Sequence, residues 1–540
     1  MKKHAILSTI IFLIPFLVFA QLSKDFSYSV SKPYKVVDAS EKHYFHRGGE
    51  ILSIKITGKR TIIHKFDSEK LIFIKEKVYE DMPKGFKVEK VTEFNDRYYF
   101  FYSLWDKPNE KEQLFYREID FESGTFIGEG KLIIKVDGKI TGSPIGSVYV
   151  YWSFGVIDKF NFQISYDESK LLIQYRKKPK IRDDSKNYDV IGMNVFDKNI
   201  EPVWSEEVKM PYTEKKMNNL DYSIDSEGNT YILSTVYDDN TTDIKKSRDG
   251  KANYHIELLR IEANSGEIDK TPIEVGDKFI NNIWLFESPE NYMVSAGFYS
   301  DGKDLDDADG VFIFKVEKEG EIYDMASYEI PVEILNQYVK GKVQKENIKK
   351  EAKDKAEFEE LELRELRIKK DGSIILIGEQ HYIISHTTYS NGKSRTYYTY
   401  HYNDMLITKI EADGELAWMK KLPKRQTGKK GQGGMSYQYI YSEDNHYLLF
   451  LDNVKNMNLS LNKVPAGHTD GAGGFLTAYK IDDSEGLVSK ASILDTKNVK
   501  GMPVYQFETN KIFSVSSNEF VFEVYKKSKE DVLIKVAVKE

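Results

Sequence analysis

The sequence predicts an all-β protein, and three observations support that class. Aromatic residues are abundant, with 36 Tyr and 30 Phe among 540 residues, whereas Pro is scarce at 14. Such enrichment favours strands over helices. A phrase of polar turn, apolar strand, loop, apolar strand and polar turn recurs about eight times from residue 48 onward. A repeated antiparallel unit cannot bury its own faces, so the units are expected to stack on one another.

The clearest copy shows why its segments should be turns and strands. Asp371 and Gly372 tolerate the left-handed backbone of a tight turn, and an apolar run at 374–377 follows them. Continuous apolar runs indicate strands that are buried on both faces. The second strands of the copies begin near Ile51, Tyr98, Leu171, Tyr231, Tyr292, Ile374, Tyr447 and Phe520. Their spacing of 47 to 82 residues suits four-stranded blades, so we expect a β-propeller of about eight blades, with seven as the alternative.

The last copy is incomplete, which suggests how the ring closes. After the strand at 520–524 there is room for only one more strand, at 532–538, so the outer strand of that blade is missing. A spare strand-like segment lies near the start of the chain, at 26–30. We expect this segment to complete the last blade, because a closed ring leaves no gap between the first and last blades.

Residues 1–20 are typical of a secretory signal peptide. Lys2 and Lys3 form the positive start, an apolar stretch runs from residue 6 to 19, and a small-residue cleavage site ends at Ala20. The alternative is an uncleaved anchor, but the apolar stretch is short for a membrane span. We therefore expect an exported monomer, periplasmic or extracellular, in which residues 21–540 form one propeller domain.

The absence of Cys and the overall charge exclude several classes of function. With no Cys in 540 residues, the chain can have no disulfide, Cys-linked lipid, c-type haem, Cys-ligated zinc or Cys nucleophile. The sequence also contains no Gly-x-Ser-x-Gly elbow and no His-Glu-x-x-His motif. A formal net charge of −7 argues against nucleic acid and anionic membranes as general partners.

Residues 333–360 interrupt the strand pattern. Charged residues are dense there, while Ile348, Ala352 and Ala356 recur at four-residue steps. This spacing predicts an exposed helix inserted between two blades. Its apolar stripe is thin, which favours a solvated linker over a partner-binding helix.

One region carries a family-like phrase. The motif consists of YNDML at 402–406, Trp418, and PKRQ at 423–426. In these residues the chain resembles an uncharacterised family of secreted bacterial proteins with β-propeller-like repeats. The likeness covers roughly residues 361–490. It implies an exported repeat architecture, and the family brings no activity and no catalytic residue with it.

Two sets of side chains have metal-ligand chemistry. Asp304, Asp306, Asp307 and Asp309 offer carboxylate oxygens, which suit a hard cation such as calcium. Their spacing does not match an EF-hand loop, and a solvated acidic hairpin loop is the alternative. Calcium is the only cofactor that this cluster suggests, and no other cofactor is expected.

The second set combines a carboxylate with imidazoles. Glu379 and His381 alternate onto one face of a strand, and His386 and His401 follow in sequence. However, His381 and His386 are separated by an odd number of residues, so a regular strand points them to opposite faces. A structural hydrogen-bonding role is therefore the favoured interpretation.

A basic, Gly-rich stretch is the best candidate for an anion site. Cations and free backbone N–H groups coincide between residues 424 and 434. The candidate ligand-binding residues are Lys424, Arg425, Gln426, Lys429 and Lys430. The Walker register is absent from this stretch, since Lys429 directly follows Gly428 and no Gly-Lys-Ser/Thr occurs within it. A plain surface loop is the alternative.

The sequence thus predicts a non-catalytic scaffold that binds a protein or glycan of the cell envelope through its loops. Propellers offer a broad loop-lined face for this purpose. The alternative is a propeller enzyme that acts on a carbohydrate or ester with acidic residues at the central channel. Local motifs cannot separate these hypotheses, because a propeller site draws one residue from each of several blades.

Overall fold

The computed structural model describes most of the chain. The described residues are 22–58, 60–142, 158–181, 183–246, 250–302, 306–352, 356–390, 393–429, 431–442, 444–457, 459 and 463–539. The predicted signal peptide at 1–20 lies outside them. Within this part of the chain, strands β1 to β35, numbered in chain order, form eight sheets. Their pairing is antiparallel except between β27 and β30. The fold is therefore an all-β propeller, as the sequence predicts.

The first four sheets, blades 1 to 4, each contain four strands in sequence order. They are Glu41–Arg47, Glu50–Thr57, Arg60–Asp67 and Phe73–Tyr79 (β3–β6, blade 1); Lys87–Phe94, Arg97–Asp106, Lys111–Asp120 and Thr125–Asp137 (β7–β10, blade 2); Asn161–Ile164, Lys170–Arg176, Tyr188–Asp197 and Pro202–Thr213 (β11–β14, blade 3); and Met217–Ile224, Thr230–Tyr237, Tyr254–Ile261 and Ile268–Ile273 (β15–β18, blade 4).

Blades 5 to 8 follow the same order but carry additions. Blade 5 consists of Phe279–Glu287, Met293–Ser300, Gly310–Val316 and Ile322–Glu329 (β19–β22), and blade 7 of Gln438–Ser442, Asn445–Asp452, Phe475–Asp482 and Val488–Asp495 (β28, β29, β31 and β32). Blade 6 consists of Leu361–Ile368, Ile374–Ser390, Lys393–Ile410 and Leu416–Leu422 (β23–β26) and is extended by Gln426–Gly428 (β27) and His468–Thr469 (β30). Blade 8 consists of Phe513–Ser514, Glu519–Lys527 and Glu530–Val538 (β33–β35) together with Phe26–Val30 (β1) and Tyr34–Lys35 (β2). Two short 3-10 turns, Val454–Asn456 and Thr509–Lys511, lie in the connections.

Burial follows the position of a strand within its blade. In blade 1, the second and third strands are buried along almost their whole length, whereas the fourth strand, Phe73–Tyr79, is largely exposed. First strands of neighbouring blades contact one another, for example β15 with β19 and β19 with β23. The first strand of each blade therefore lies innermost, and the continuous apolar runs of the sequence are the middle strands.

The turns use the residues that the sequence singles out. Gly372 has φ of +82°, a conformation that L side chains rarely adopt. The Asp371 carboxylate accepts the backbone N–H of Ser373 at 2.9 Å and so closes the turn into β24. The same pairing of an acidic residue with glycine explains why the repeated phrase begins with polar turns.

The described residues form eight apolar clusters, one between each pair of consecutive blades. The cluster that joins the ends of the ring packs Ile51 and Phe66 of blade 1 against Val521 and Leu533 of blade 8. All four side chains are at most 1% exposed. Blade 8 thus packs on blade 1 as well as on blade 7.

The N-terminal strand completes blade 8. Strand β1 pairs with β35 in antiparallel register, from Phe26 opposite Val538 to Val30 opposite Ile534. The backbone N–H of Ser31 continues the pairing to the carbonyl of Leu533 at 2.9 Å. The prediction that residues 26–30 supply the missing strand is confirmed.

A buried charge cluster accompanies this closure. The Glu523 carboxylate of blade 8 lies 2.5 Å from the Lys55 ammonium and 2.8 Å from the Lys42 ammonium, both in blade 1. Tyr34 donates its hydroxyl to the same carboxylate at 2.6 Å. Burial by itself raises the pKa of Glu523, but the two lysines outweigh burial and lower it. For Asp531, 3.6 Å from Lys55, burial and the neighbouring Glu523 charge raise the pKa to about 7.

The predicted insertion between blades 5 and 6 contains two helices that are shorter than expected. They are Val332–Leu335 (α1) and Gly341–Glu351 (α2), and α2 has no buried residue. The prediction of an exposed helix is confirmed, but the C-terminal part of the predicted insertion is not an exposed helix. Phe358, 4% exposed, bridges to Ala308 of blade 5 and so returns the chain to the core before β23. No helix in the described residues is long and apolar enough to cross a membrane.

We predict that Phe26→Ala weakens the closure. Phe26 is 7% exposed and its ring packs edge-on against Tyr447, so its truncation should lower the free energy of unfolding by about 3 kcal/mol. Urea denaturation of the purified protein measures this loss. Ser27→Ala is the control, because Ser27 is the exposed neighbour in the same strand. Equal midpoints for the two variants would contradict the role of β1.

We also predict a pH dependence that originates at Asp531. An Asp with a pKa of about 7 in the folded state and about 4 in the unfolded state keeps its proton to a higher pH when the protein is folded. The stability of the wild type should therefore fall as pH rises from about 4 to about 7, and Asp531→Asn should remove this part of the decline. The measurement is the difference in urea midpoint between the two proteins across that range. A difference in urea midpoint that stays constant across this pH range would contradict the assignment to Asp531. Glu530→Gln, in the same strand, is the control.

Candidate functional site

The longest connections of the propeller gather on one face. In a four-stranded antiparallel blade, the loop between the second and third strands and the connection to the next blade leave from the same side. We call this side the loop face. Blades 5 to 8 contribute six long elements to it: residues 301–309, 330–360, 380–403, 423–437, 453–474 and 496–512. Blade 4 adds the loop 238–253. Most of the long elements on the loop face of the described chain therefore lie above blades 5 to 8.

A long hairpin projects from blade 6 on this face. Strands β24 and β25 contain 17 and 18 residues, about twice the length of the other second and third strands in neighbouring blades. The outer strand β26 pairs with β25 only from Met405 to Ile410. Beyond that point β25 pairs with the short strand β27, at residues 400–402. The remainder of the hairpin extends past the blade.

The hairpin presents rings and apolar groups to solvent. Tyr389 is 81% exposed, and Ile384, Tyr397 and Tyr398 are each more than 40% exposed. Sequence reasoning did not select these residues, although the alternating, Tyr-rich stretch from 380 to 403 was visible. Exposed aromatic residues belong to no catalytic or metal-binding motif, so the sequence does not distinguish them from core aromatics.

The predicted anion site is divided between two sides of strand β27. Lys424 and Gln426 are fully buried, whereas Arg425 and Lys429 are exposed. Alternation of side chains along a strand explains this division, since even and odd residues face opposite ways. This corrects the prediction for Lys424 and Gln426, which already have partners in the interior. Lys430 lies outside the described residues.

Lys424 is part of a buried polar network with Glu379. Its ammonium lies 2.7 Å from the Glu379 carboxylate, which also accepts the Ser436 hydroxyl at 2.7 Å. The ammonium donates in addition to the Gln426 side chain at 3.1 Å and to the Tyr402 carbonyl at 2.8 Å. Burial lowers the pKa of Lys424, and the Glu379 charge opposes that shift.

The network continues toward the innermost strand of blade 6. The Arg364 guanidinium bridges two carboxylates, at 3.0 Å from Glu362 and 3.4 Å from Glu379. His381 Nδ1 lies 3.0 Å from the other oxygen of Glu362. Burial by itself raises the pKa of Glu362, but the His381 hydrogen bond and the Arg364 charge outweigh burial and lower it.

This arrangement favours a structural role for the two carboxylates. A general acid requires a carboxyl group with a raised pKa next to one that stays ionised. The structure gives Glu362 a lowered pKa and surrounds Glu379 with Lys424 and Arg364. Both acids therefore serve as ion-pair partners of cations. They join blade 6 to the connection that leads into blade 7.

The proposed imidazole ligands do not converge. The His381 ring lies 4.4 Å from that of Tyr402 at a tilt of 38°. His401 stacks on Tyr382 at 4.6 Å, and His386 stacks on Tyr397 at 4.8 Å. His386 and His401 occupy the face of the hairpin opposite to His381, as their spacing predicts. Over the described residues, no group of three or more His, Asp or Glu side chains could hold a metal ion.

The carboxylates of the acidic cluster in blade 5 accept backbone N–H groups. The Asp307 carboxylate accepts the backbone N–H of Glu360 at 2.9 Å, and the Asp309 carboxylate accepts that of Asp301 at 2.6 Å. Asp309 is 7% exposed. Asp304 lies outside the described residues, and the structure does not bring Asp306, Asp307 and Asp309 into a metal site. The calcium prediction thus has no support from the described members of the cluster.

We predict that Glu379→Gln destabilises the protein strongly. The change leaves the Lys424 ammonium buried without its carboxylate partner, which should cost about 3–5 kcal/mol. The double variant Glu379→Gln/Lys424→Met should recover much of that loss, because it removes the unpaired charge. Urea denaturation of both variants gives the comparison. Glu411→Gln is the control, since it removes an exposed partner of Lys409 and should cost less than about 1 kcal/mol. Equal losses in all three variants would argue against the network.

Comparison with known proteins identifies no family. No family model and no curated protein matches the sequence. Solved structures that are similar include a prolyl endopeptidase, at 12% identity and a TM-score of 0.37, with 94% of this chain and 56% of that chain covered. A quinohemoprotein alcohol dehydrogenase from Pseudomonas putida is similar at 10% identity and a TM-score of 0.40, with 97% of this chain and 77% of that chain covered. The β-propeller domain of the Trilobed protease from Pyrococcus furiosus is similar at 10% identity and a TM-score of 0.32, with 89% of this chain and 98% of that chain covered. Identities of this order carry no information about activity.

Proposed function

We propose that this chain is an exported β-propeller that binds a protein or glycan partner of the cell envelope through its loop face. The observation that carries the proposal is the long blade 6 hairpin, which extends past its blade and exposes aromatic side chains. The export part rests on the signal-like residues 1–20 and on the chain's resemblance to secreted repeat proteins. The binding part rests on the contacts that follow.

The outer half of the hairpin contributes little to the core. Its side chains from Ile384 to Tyr398 are mostly exposed, so they bury little apolar area in the propeller itself. A two-stranded hairpin in water is only marginally stable without a packed face. Tyr is enriched in recognition surfaces, since its ring contributes contact area with few rotatable bonds. A partner that covers these rings is the physical explanation that we favour.

The base of the hairpin holds that surface in a fixed position. Strand β27 pairs with β25 at residues 400–402, and Tyr382 stacks on His401 with an angle of 9° between the rings. Below this level lies the buried Glu379–Lys424 network. A binding surface that is already ordered loses less conformational entropy on association. The hairpin therefore has the construction expected of a recognition element.

Catalysis is the less favoured alternative. Glu362 and Glu379, two carboxylates at the base of the hairpin, are paired with cations. The His381 hydrogen bond and the Arg364 charge outweigh burial and lower the pKa of Glu362, which does not suit a general acid. The chain also lacks the sequence motifs of common nucleophiles. These features support a binding role over turnover of a carbohydrate or ester.

The test is capture of a partner from an envelope extract by the mature protein and by a shortened variant. The variant replaces residues 384–399 with Asn-Gly, a two-residue turn that joins Ile383 to its cross-strand partner Tyr400. We expect the variant to melt at nearly the same temperature as the wild type and to lose the captured partner. Near-UV circular dichroism establishes that the variant is folded.

A control variant, Ile74→Ser, removes an exposed apolar group from the outer strand of blade 1, remote from the hairpin. It should retain the partner. Equal capture by the shortened variant, or turnover of a glycan or ester by the mature protein without any captured partner, would count against the proposal.

A further inference from the structure

We infer that one face of the blade 6 hairpin, continued by strand β27, is a docking surface for an anionic polysaccharide. The inference rests on the proposed function, because it assumes that the hairpin is a recognition element. It goes further in naming the surface and the chemistry of its partner. The surface is built from three neighbouring strands, β24, β25 and β27, whose register determines which side chains share it.

The hairpin supplies two flat ring pairs to this face. Tyr382 stands opposite His401, and His386 stands opposite Tyr397. Each pair is stacked, with ring centroids 4.6 and 4.8 Å apart and interplanar angles of 9° and 16°. Paired positions separated by an even number of residues lie on one side of the strands. The rings therefore form two steps along the same side of the hairpin.

The hairpin supplies two cations beyond these rings. Arg395 stands opposite Thr388, two residues past the His386–Tyr397 pair, and Lys393 follows two residues further. Alternation places both side chains on the ring-bearing side. Both residues are exposed. The outer end of the surface is therefore basic.

Strand β27 supplies two more cations at the inner end. Thr427 stands opposite His401, and its hydroxyl lies 3.3 Å from the His401 ring nitrogen. Arg425 and Lys429 directly precede and follow β27, each two residues from Thr427. Burial alternates from residue 424 to 429, and both cations are exposed, which places them on the side of Thr427. This is the part of the predicted anion site that remains exposed. We call the whole surface, made of these ring pairs and the cations Lys393, Arg395, Arg425 and Lys429, the basic ring face.

The basic ring face contains no carboxylate. No Asp or Glu occurs between residues 380 and 403 or between residues 424 and 434, although the whole chain has a formal charge of −7. None of the four cations has a carboxylate within ion-pair distance among the residues that the structure describes. The nearby Asp470 accepts the backbone N–H of Gly434 and lies against Gly428, on the opposite side of β27. The charge of this face is therefore free to attract an anion.

The dimensions favour an extended polymer. Six residues separate Arg395 from His401 along β25, which corresponds to roughly 20 Å at about 3.3 Å per residue. Cations lie at both ends of this span and rings lie between them. A small anion would use one end only, whereas a charged chain can contact both ends and stack on the rings.

The side chains favour a sugar polymer over a peptide or a nucleic acid. Ile384 is the one aliphatic group on the hairpin part of this face, whereas protein interfaces depend on apolar anchors in pockets. Thr388, Thr399 and Thr427 add hydroxyl groups that can bond with sugar hydroxyls. A nucleic-acid surface normally belongs to a basic protein, and this chain is acidic overall. Carboxylated or sulfated polysaccharide is the partner that matches all three properties.

The test measures binding of the mature protein to immobilised polygalacturonate, with neutral dextran, poly-glutamate and oligothymidylate as competing polymers. We expect retention by polygalacturonate that weakens as salt rises, since the contacts are exposed ion pairs. Arg395→Glu combined with Lys429→Glu should reduce the affinity at least about tenfold. Arg395→Lys combined with Lys429→Arg should retain most of it. Tyr397→Ala should reduce the affinity severalfold without a change in net charge.

The matched control reverses two other lysines. Lys349→Glu combined with Lys350→Glu makes the same change in net charge on the exposed helix α2, and it should leave the affinity unchanged. Equal loss in this control, equal retention by dextran, or tighter binding of poly-glutamate or oligothymidylate would overturn the inference. If no anionic polysaccharide binds but the shortened hairpin still loses its captured partner, the inference fails and the proposed function stands. If neither effect occurs, both fail.

Discussion

The antiparallel pairing of Phe26–Val30 with the last strand of the chain is the interaction on which the rest of the structure depends. A propeller blade has apolar faces that only its two neighbours can cover, so a ring with an unfilled last blade would leave an open edge. Strand β1 fills blade 8, and the apolar cluster of Ile51 and Leu533 then joins blade 8 to blade 1. The Glu523–Lys55 pair lies at the same junction. Closure thus combines main-chain pairing, apolar burial and a buried charge pair at one place.

The closed ring supports the long connections on its loop face. These elements stand on the loop face of blades 5 to 8, where they contact one another as well as the blades. The Thr509 hydroxyl donates to the Met435 carbonyl at 2.7 Å, and the Tyr479 hydroxyl donates to the Pro423 carbonyl at 2.8 Å. Such bonds fix loops that have little apolar surface of their own. The projecting hairpin therefore rises from a supported base, which is a condition for recognition by a surface without a deep pocket.

Much of the fold could be predicted from the sequence, and the candidate site only in part. Strand positions followed from apolar runs and acidic-glycine turns, as at Asp371 and Gly372, because those signals are local. The number of strand segments in the last repeat showed that blade 8 lacks a strand. The sequence could not predict which side chains of residues 424–429 are buried and which are exposed. It shows a basic, Gly-rich stretch there, and no local signal indicates a strand. Once β27 pairs with β25, alternation turns Lys424 to the interior and Arg425 to solvent.

The sequence by itself determined that this protein is an all-β propeller with a helical insertion, because repeated periodicity and turn chemistry are properties of short segments. Only the tertiary structure decided which charged residues are partners and which remain free. Glu379 and Lys424 are 45 residues apart in the chain, and their ion pair exists because two strands and a connection meet at one point. Likewise, the rings of β24, the cations of β25 and those beside β27 share one face only because sheet register aligns them. Long-range register is a property of the folded sheet, and no local pattern encodes it.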